Sequence, residues 1–112
     1  MVSSVSQPRI ERRDEGTFLL SGELSFASVP ALLRESQRLL SQQVDAVGAN
    51  AVTIDLRGVS RTDSAGLALL VEWMRSFRAQ GVTISFLNMP VQMLALARLS
   101  GLEGVLSLPN PA

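Results

Sequence analysis

Two runs in this sequence, residues 51–56 (AVTIDL) and 82–87 (VTISFL), are β-branched and nearly unbroken in their apolarity. Runs of that kind read as strands buried on both faces. Between them, from Leu67 to Phe77, apolar residues recur at helical spacing. A strand, a helix and a second strand in that order require a crossover, which sets the two strands parallel in one sheet. That unit alone places the chain in the α/β class.

The flanking segments extend the pattern. Arg9 to Arg13 reads as a short edge strand, and Asp14-Glu15-Gly16 as a turn. Thr17 to Leu20, running on into Ser21-Gly22-Glu23-Leu24, reads as a strand that pairs with the first in a hairpin. Ser28 is a helix start signal, with Pro30 in the first turn, where its missing N–H costs nothing. Val29, Leu32, Leu33, Leu39, Leu40 and Val44 then form a helical stripe, broken at Gly48-Ala49-Asn50. Arg57-Gly58 reads as a turn after the third strand. The next helix runs from Ser64 to Gln80 and stops at Gly81. Pro90 opens a third helix, residues 91–100 (VQMLALARLS), closed by Gly101. It is too apolar all round to bury one face only. Val105 to Leu108 reads as a last short strand. The order is β-β-α-β-α-β-α, with a terminal β if that strand forms. Residues 1–112 make one domain, with the Ser-rich start, residues 1–8, expected to lie loose.

Composition narrows the function. Hydrophobic residues are 46% of the 112, enough for a real core. Ten Arg balance ten acidic residues and the signs are interspersed, so the basic footprint of a nucleic-acid binder is missing. No apolar run reaches 18 residues and no signal-peptide core stands at the N-terminus, so neither membrane insertion nor export is expected, and the expected location is cytoplasmic. The sequence has no His, Cys, Lys or Tyr. The usual general base, the thiolate, the Schiff-base amine and the lysine of phosphate-binding loops are thereby excluded. Neither an enzyme nor a metal or organic cofactor is expected.

The residues with chemical interest are Asp63, Ser64, Ala65 and Gly66, where a polar loop meets the apolar helix. In open α/β sheets, a strand end leading into a helix N-terminus is where ligand sites lie. Unpaired N–H groups and the helix dipole favour negative charge there. Asp63 or Ser64 can cap the helix. Gly66 costs up to about 1 kcal/mol relative to Ala in a helix, so it signals a close approach, either of the sheet or of a partner. At 100° per residue, Leu67, Leu70, Val71, Met74 and Phe77 share one face, the core face. Ala65, Ala68, Glu72, Arg75, Ser76 and Ala79 lie opposite. Leu69 and Trp73 fall on a flank, either at the margin of the core or on a surface of small residues beside Ser64 that a partner can approach.

The run from Val52 to Asn88 resembles the signature of STAS domains, the fold of bacterial anti-sigma factor antagonists. Those proteins carry an apolar strand ending in Asp-Leu, a short loop, then Asp, a hydroxyl residue, a small residue, Gly and Leu at a helix start. Here these are Asp63-Ser64-Ala65-Gly66-Leu67. Leu20 to Phe26 (LSGELSF) matches the family's earlier Gly-Glu-Leu strand, and Met93 to Leu106 its closing helix. The resemblance covers Thr17 to Leu108. It implies a single α/β domain with a four- or five-stranded mixed sheet and helices packed mainly on one face. It also implies that Ser64 is a phosphoacceptor or switch and that partner contact falls at this end of the helix; together with the small residues of the outward face, this makes Asp63, Ser64, Ala65, Gly66, Ala68, Leu69 and Glu72 the expected partner-binding residues. In anti-sigma factor antagonists an Asp usually follows Gly-Glu-Leu; here Ser25 stands there. Residues 21–33 (SGELSFASVPALL) and 61–73 (RTDSAGLALLVEW) are more similar to the STAS subunit of the Mla phospholipid-transport system. That branch implies a non-catalytic regulatory subunit on the cytoplasmic ATPase of an ABC transporter, peripheral to the inner membrane. The other branch implies a switch whose partners are an anti-sigma factor and a serine kinase.

Overall fold

The computed structural model describes residues 8–14, 16–47, 51–102 and 104–106, with side chains described for all but 40–47. Its elements are β1 (Arg9–Asp14), β2 (Thr17–Leu24), α1 (Val29–Val47), β3 (Ala51–Thr62), α2 (Ser64–Ala79), β4 (Thr83–Leu87) and α3 (Val91–Leu99). They form a four-stranded sheet in the order β1-β2-β3-β4. β1 pairs antiparallel with β2, and the β2–β3 and β3–β4 pairs are parallel. The mixed sheet, the hairpin and the crossovers are those expected. The expectations for Met1 to Gln7, Glu15 and Gly48 to Asn50, and for the side chains of Leu40 and Val44, lie outside the described residues.

The helices cover one face of the sheet. Phe18, Leu20 and Leu24 of β2 and Val52, Ile54 and Leu56 of β3 point into the core beneath them. The alternate positions Thr53 and Asp55 are half-buried, and Thr83 and Ser85 are exposed. Burial of these two runs on both faces is therefore not found. The polar residues interspersed in the two apolar runs collect on the open face, as period two requires.

The turn expected at Arg57-Gly58 is replaced by strand. β3 continues to Thr62 through two irregularities against β2, each adding one residue to β3: Leu19 and Ser21 face Asp55 and Gly58, and Gly22 and Glu23 face Val59 and Arg61. A glycine inside a strand marks a bulge or a close approach as readily as a turn. A Cβ on Gly58 would lie 2.6 Å from Ser21 Cβ, so close approach of β2 is the reason here. Extending β3 carries the chain beside the end of β2 before α2 begins. At the other end of the chain, Val105 and Leu106 lie in a turn rather than a strand, while Ser107 and Leu108 are outside the described residues.

α2 is buried more broadly than one face. Leu67, Leu70, Met74 and Phe77 are in the core, but so are Leu69 and Trp73, at 1% and 0% exposure. The buried arc spans about 200° of the helix. The cause is α1, which packs on the flank of α2: Trp73 Nε1–H donates to Ser36 Oγ at 2.9 Å, with both residues fully buried. Ser36 Oγ in turn donates to Leu33 O. A polar residue on the inner face of α1 thus satisfies the indole N–H.

Candidate functional site

Asp63 leaves β3 in an extended conformation and is the N-cap of α2. Its Oδ1 accepts from the Ala65 N–H at 2.8 Å, satisfying one of the amides that a helix start leaves open. Its Oδ2 accepts a longer bond, 3.4 Å, from the Phe26 N–H, and its own N–H donates to Leu24 O. One residue therefore joins the start of α2 to the loop leaving β2. That loop is held from within. Ser28 Oγ accepts from the Ser25 N–H and donates to Glu23 O, both at 3.0 Å. From the other side, the Thr62 N–H donates to Gln92 Oε1 in the first turn of α3. The C-terminal ends of β2 and β3 thus gather three elements around Asp63.

With Asp63 as the cap, Ser64 is spared that role. It is exposed, and its hydroxyl makes no hydrogen bond among the described residues. The open alternative, Asp63 or Ser64, is settled in favour of Asp63. Gly66 is settled too. A Cβ there would collide with Thr62 Oγ1 and lie 3.0 Å from Leu24 Cβ. The close approach it permits is that of its own sheet, not of a partner.

The surface left for a partner differs from the one expected. Gly66 and Leu69 are buried and Ala65 is 8% exposed, so these three present almost nothing. Leu69 is buried on the same flank of α2 as Trp73. Ser64 and Ala68 are exposed, Asp63 and Glu72 half-buried. With Arg75 they form a narrow stripe along α2. Two exposed apolar side chains flank its start: Phe26 at 72% and Val91 at 82%. Phe26 follows Asp63 through its N–H, and Val91 precedes Gln92, so both belong to the three elements tied together here. Sequence reasoning missed them. Phe26 continues the parity of Phe18, Leu20 and Leu24, which predicts burial, but β2 ends at Leu24 and the turn that follows turns the ring outward. For Val91 the available signal was the all-round apolarity of α3, whose buried residues are Met93 and Ala97.

Asp55, the Asp of the Asp-Leu strand end, is on the open face and fixes a neighbouring loop. It accepts from the Arg57 N–H at 2.9 Å and from Asn88 Nδ2 at 3.1 Å. Asn88 has φ of 55°, a left-handed conformation that Asn tolerates better than most residues. Burial pushes the Asp55 carboxyl up, but the Asn88 and Arg57 hydrogen bonds and the Arg57 and Arg13 charges outweigh it and hold the group below its ordinary value. This bond secures the passage from β4 into α3, and so the position of Val91 and Gln92.

The site is a surface rather than a pocket. The cavity beside it, lined by Glu23, Ser25, Arg61 and Asp63 among others, has about 70 Å³, well below the several hundred of small-molecule sites. Among the described residues, no three metal-ligating side chains gather in one place. No helix there is long and apolar enough to cross a membrane.

Residues 10–108 match the sequence family described as "Mlab, STAS domain". This chain belongs to the STAS domain family. STAS domains are regulatory, protein-interacting modules. Among curated proteins, no sequence matches the chain. Solved structures do. An anti-sigma factor antagonist from Mycobacterium paratuberculosis is similar at 20% identity, with 94% of this chain and 86% of that one covered and a TM-score of 0.64. The phosphorylated form of the Bacillus cell fate determinant SpoIIAA is similar at 20% identity, with 94% and 91% covered and a TM-score of 0.61. SLC26A9 is similar at 19% identity, with 88% of this chain but 18% of that one covered and a TM-score of 0.60. At these identities the likeness establishes the STAS fold.

Proposed function

We propose that this STAS domain is a non-catalytic regulatory subunit that binds the cytoplasmic ATPase of an ABC transporter for phospholipids, and so contributes to the lipid asymmetry of an outer membrane. The binding surface is the start of α2 with its neighbours: Ser64, Ala68 and Glu72, flanked by Phe26 and Val91. The observation that carries this reading is Ser64, an exposed hydroxyl relieved of capping by Asp63 and set between exposed apolar side chains. The family description, "Mlab, STAS domain", supports the choice of partner. The absence of His, Cys, Lys and Tyr supports a role without chemistry of its own. On this reading the domain is cytoplasmic and reaches the inner membrane only through its transporter.

Ser64 also supplies a means of control. A phosphate adds about −1.5 to −2 charge directly beside the Asp63 carboxylate, on a surface a partner must approach closely. The domain stays folded and the contact is lost. The same chemistry serves a second reading, an anti-sigma factor antagonist controlled by a serine kinase. The fold likeness to the phosphorylated form of SpoIIAA favours that reading. Gene neighbourhood separates the two: ATPase and permease genes beside this one support the transporter, a serine kinase and a sigma factor the switch. The direct test is co-purification of the transporter ATPase with wild-type and Ala68→Arg protein, with circular dichroism to establish folding. Loss of the ATPase from the folded variant is expected; full retention places the contact elsewhere.

A further inference from the structure

The two edges of the sheet are built differently. β1 exposes Arg9, Glu11, Arg12, Arg13 and Asp14, and such charges along an edge strand block pairing with another chain. β4, at the opposite edge, is TISFL and carries no charge. Among the described residues nothing pairs with its outer side, where alternate residues present both N–H and C=O. Beside this edge runs a groove of about 320 Å³ bounded by Met74, Arg78, Val82, Thr83 and Ile84. Through Met74 and Arg78 it continues into a second of about 420 Å³ that reaches Arg75 and Val105. Arg75 and Arg78 are exposed, and neither has a carboxylate partner among the described residues. On the open face of the same strand, Leu87 is 49% exposed.

We infer that β4 and this groove form a second interaction surface, which takes an extended acidic segment of a partner protein as a fifth strand. The strand edge supplies the backbone pairing and the side chains supply the selectivity. Acidic side chains on the helix side of the added strand reach Arg75 and Arg78. Apolar side chains, alternating with them, fall on the open face beside Leu87. A second copy of this chain fits less well: its own Arg75 and Arg78 would face these two, and β4 has no acid to answer them. The surface is centred on the C-terminal half of α2 and begins one turn beyond Glu72, the last residue of the surface at Ser64.

The test is an NMR titration of the ¹⁵N-labelled full chain with two capped eight-residue peptides, one alternating valine with glutamate and one alternating valine with lysine. The glutamate peptide should shift the amides of Thr83 to Leu87 and slow their exchange with solvent, and should bind at least about tenfold more tightly than the lysine peptide, as expected where charge selects the partner. The Arg75→Glu, Arg78→Glu double variant should reverse that preference. Equal binding of the two peptides, or shifts confined to other elements, overturns the proposal. So does full protection of every β4 amide in the free protein. Shifts in β4 that depend on protein concentration without peptide mean that a second copy is the occupant, and also overturn it.

Discussion

Removing the Asp63 carboxylate and removing the Ser64 hydroxyl should have very different consequences, although the residues are neighbours. Asp63→Ala deletes the cap of α2, worth about 1 kcal/mol in most helices and up to about 2. It also deletes the acceptor for the Phe26 N–H, but that bond is 3.4 Å long and exposed and adds little. The expected loss is therefore about 1–2 kcal/mol. With roughly 2.1 cal/mol/K per residue of unfolding entropy, a chain of this length loses about 4 °C of Tm per kcal/mol, or about 4–8 °C. Ser64→Ala removes an exposed hydroxyl that bonds to nothing described, and should stay within about 0.5 kcal/mol of wild type. Urea titration followed by the fluorescence of Trp73, the single and fully buried tryptophan, measures both. If Ser64→Ala costs as much as Asp63→Ala, the serine is part of the cap and is not free to act as a switch.

Gly66→Ala should destabilise by roughly 1–3 kcal/mol through overpacking against Thr62 and Leu24, despite its better helix propensity; the Thr62→Ala background should relieve much of that cost in the same urea titration. Ser36→Ala should cost about 1–3 kcal/mol, because it leaves the buried Trp73 N–H unpaired, and should lower the urea midpoint without changing the slope. Asp55 is held below its ordinary pKa, so its stabilising contribution is full above the unfolded value, near 4, and is lost as pH falls through the lower folded value. Urea midpoints measured from pH 7 to pH 3 should therefore fall less in Asp55→Asn than in wild type; an unchanged acid slope counts against the bonds to Asn88 and Arg57.

What could be read from residues alone, and what could not, follows from how local each cause is. The parallel unit was legible because its β-branched runs and the helix between them carry their own periodicity. The helix start at Asp63-Ser64 was legible because capping is a local exchange of hydrogen bonds. Gly58 was misread as a turn because its reason, the nearness of Ser21, lies on another strand. Leu69 sits on a flank that only the position of α1 could assign, and Ser36 gave no sign that it would meet Trp73. Phe26 kept the parity of a buried strand position after the strand had ended. The candidate site at the α2 start was legible as a strand end leading into a helix N-terminus, while two of its most exposed apolar members came from loops and helix ends whose meeting depends on tertiary structure.

If the start of α2 is the partner surface, negative charge at Ser64 abolishes the contact without unfolding the domain. The most direct measurement is calorimetric titration of the transporter ATPase into folded wild-type, Ser64→Ala and Ser64→Glu protein. Wild type and Ser64→Ala should bind with comparable affinity, and Ser64→Glu at least about tenfold more weakly, equivalent to about 1.4 kcal/mol. Wild-type affinity in a folded Ser64→Glu variant would contradict this expectation.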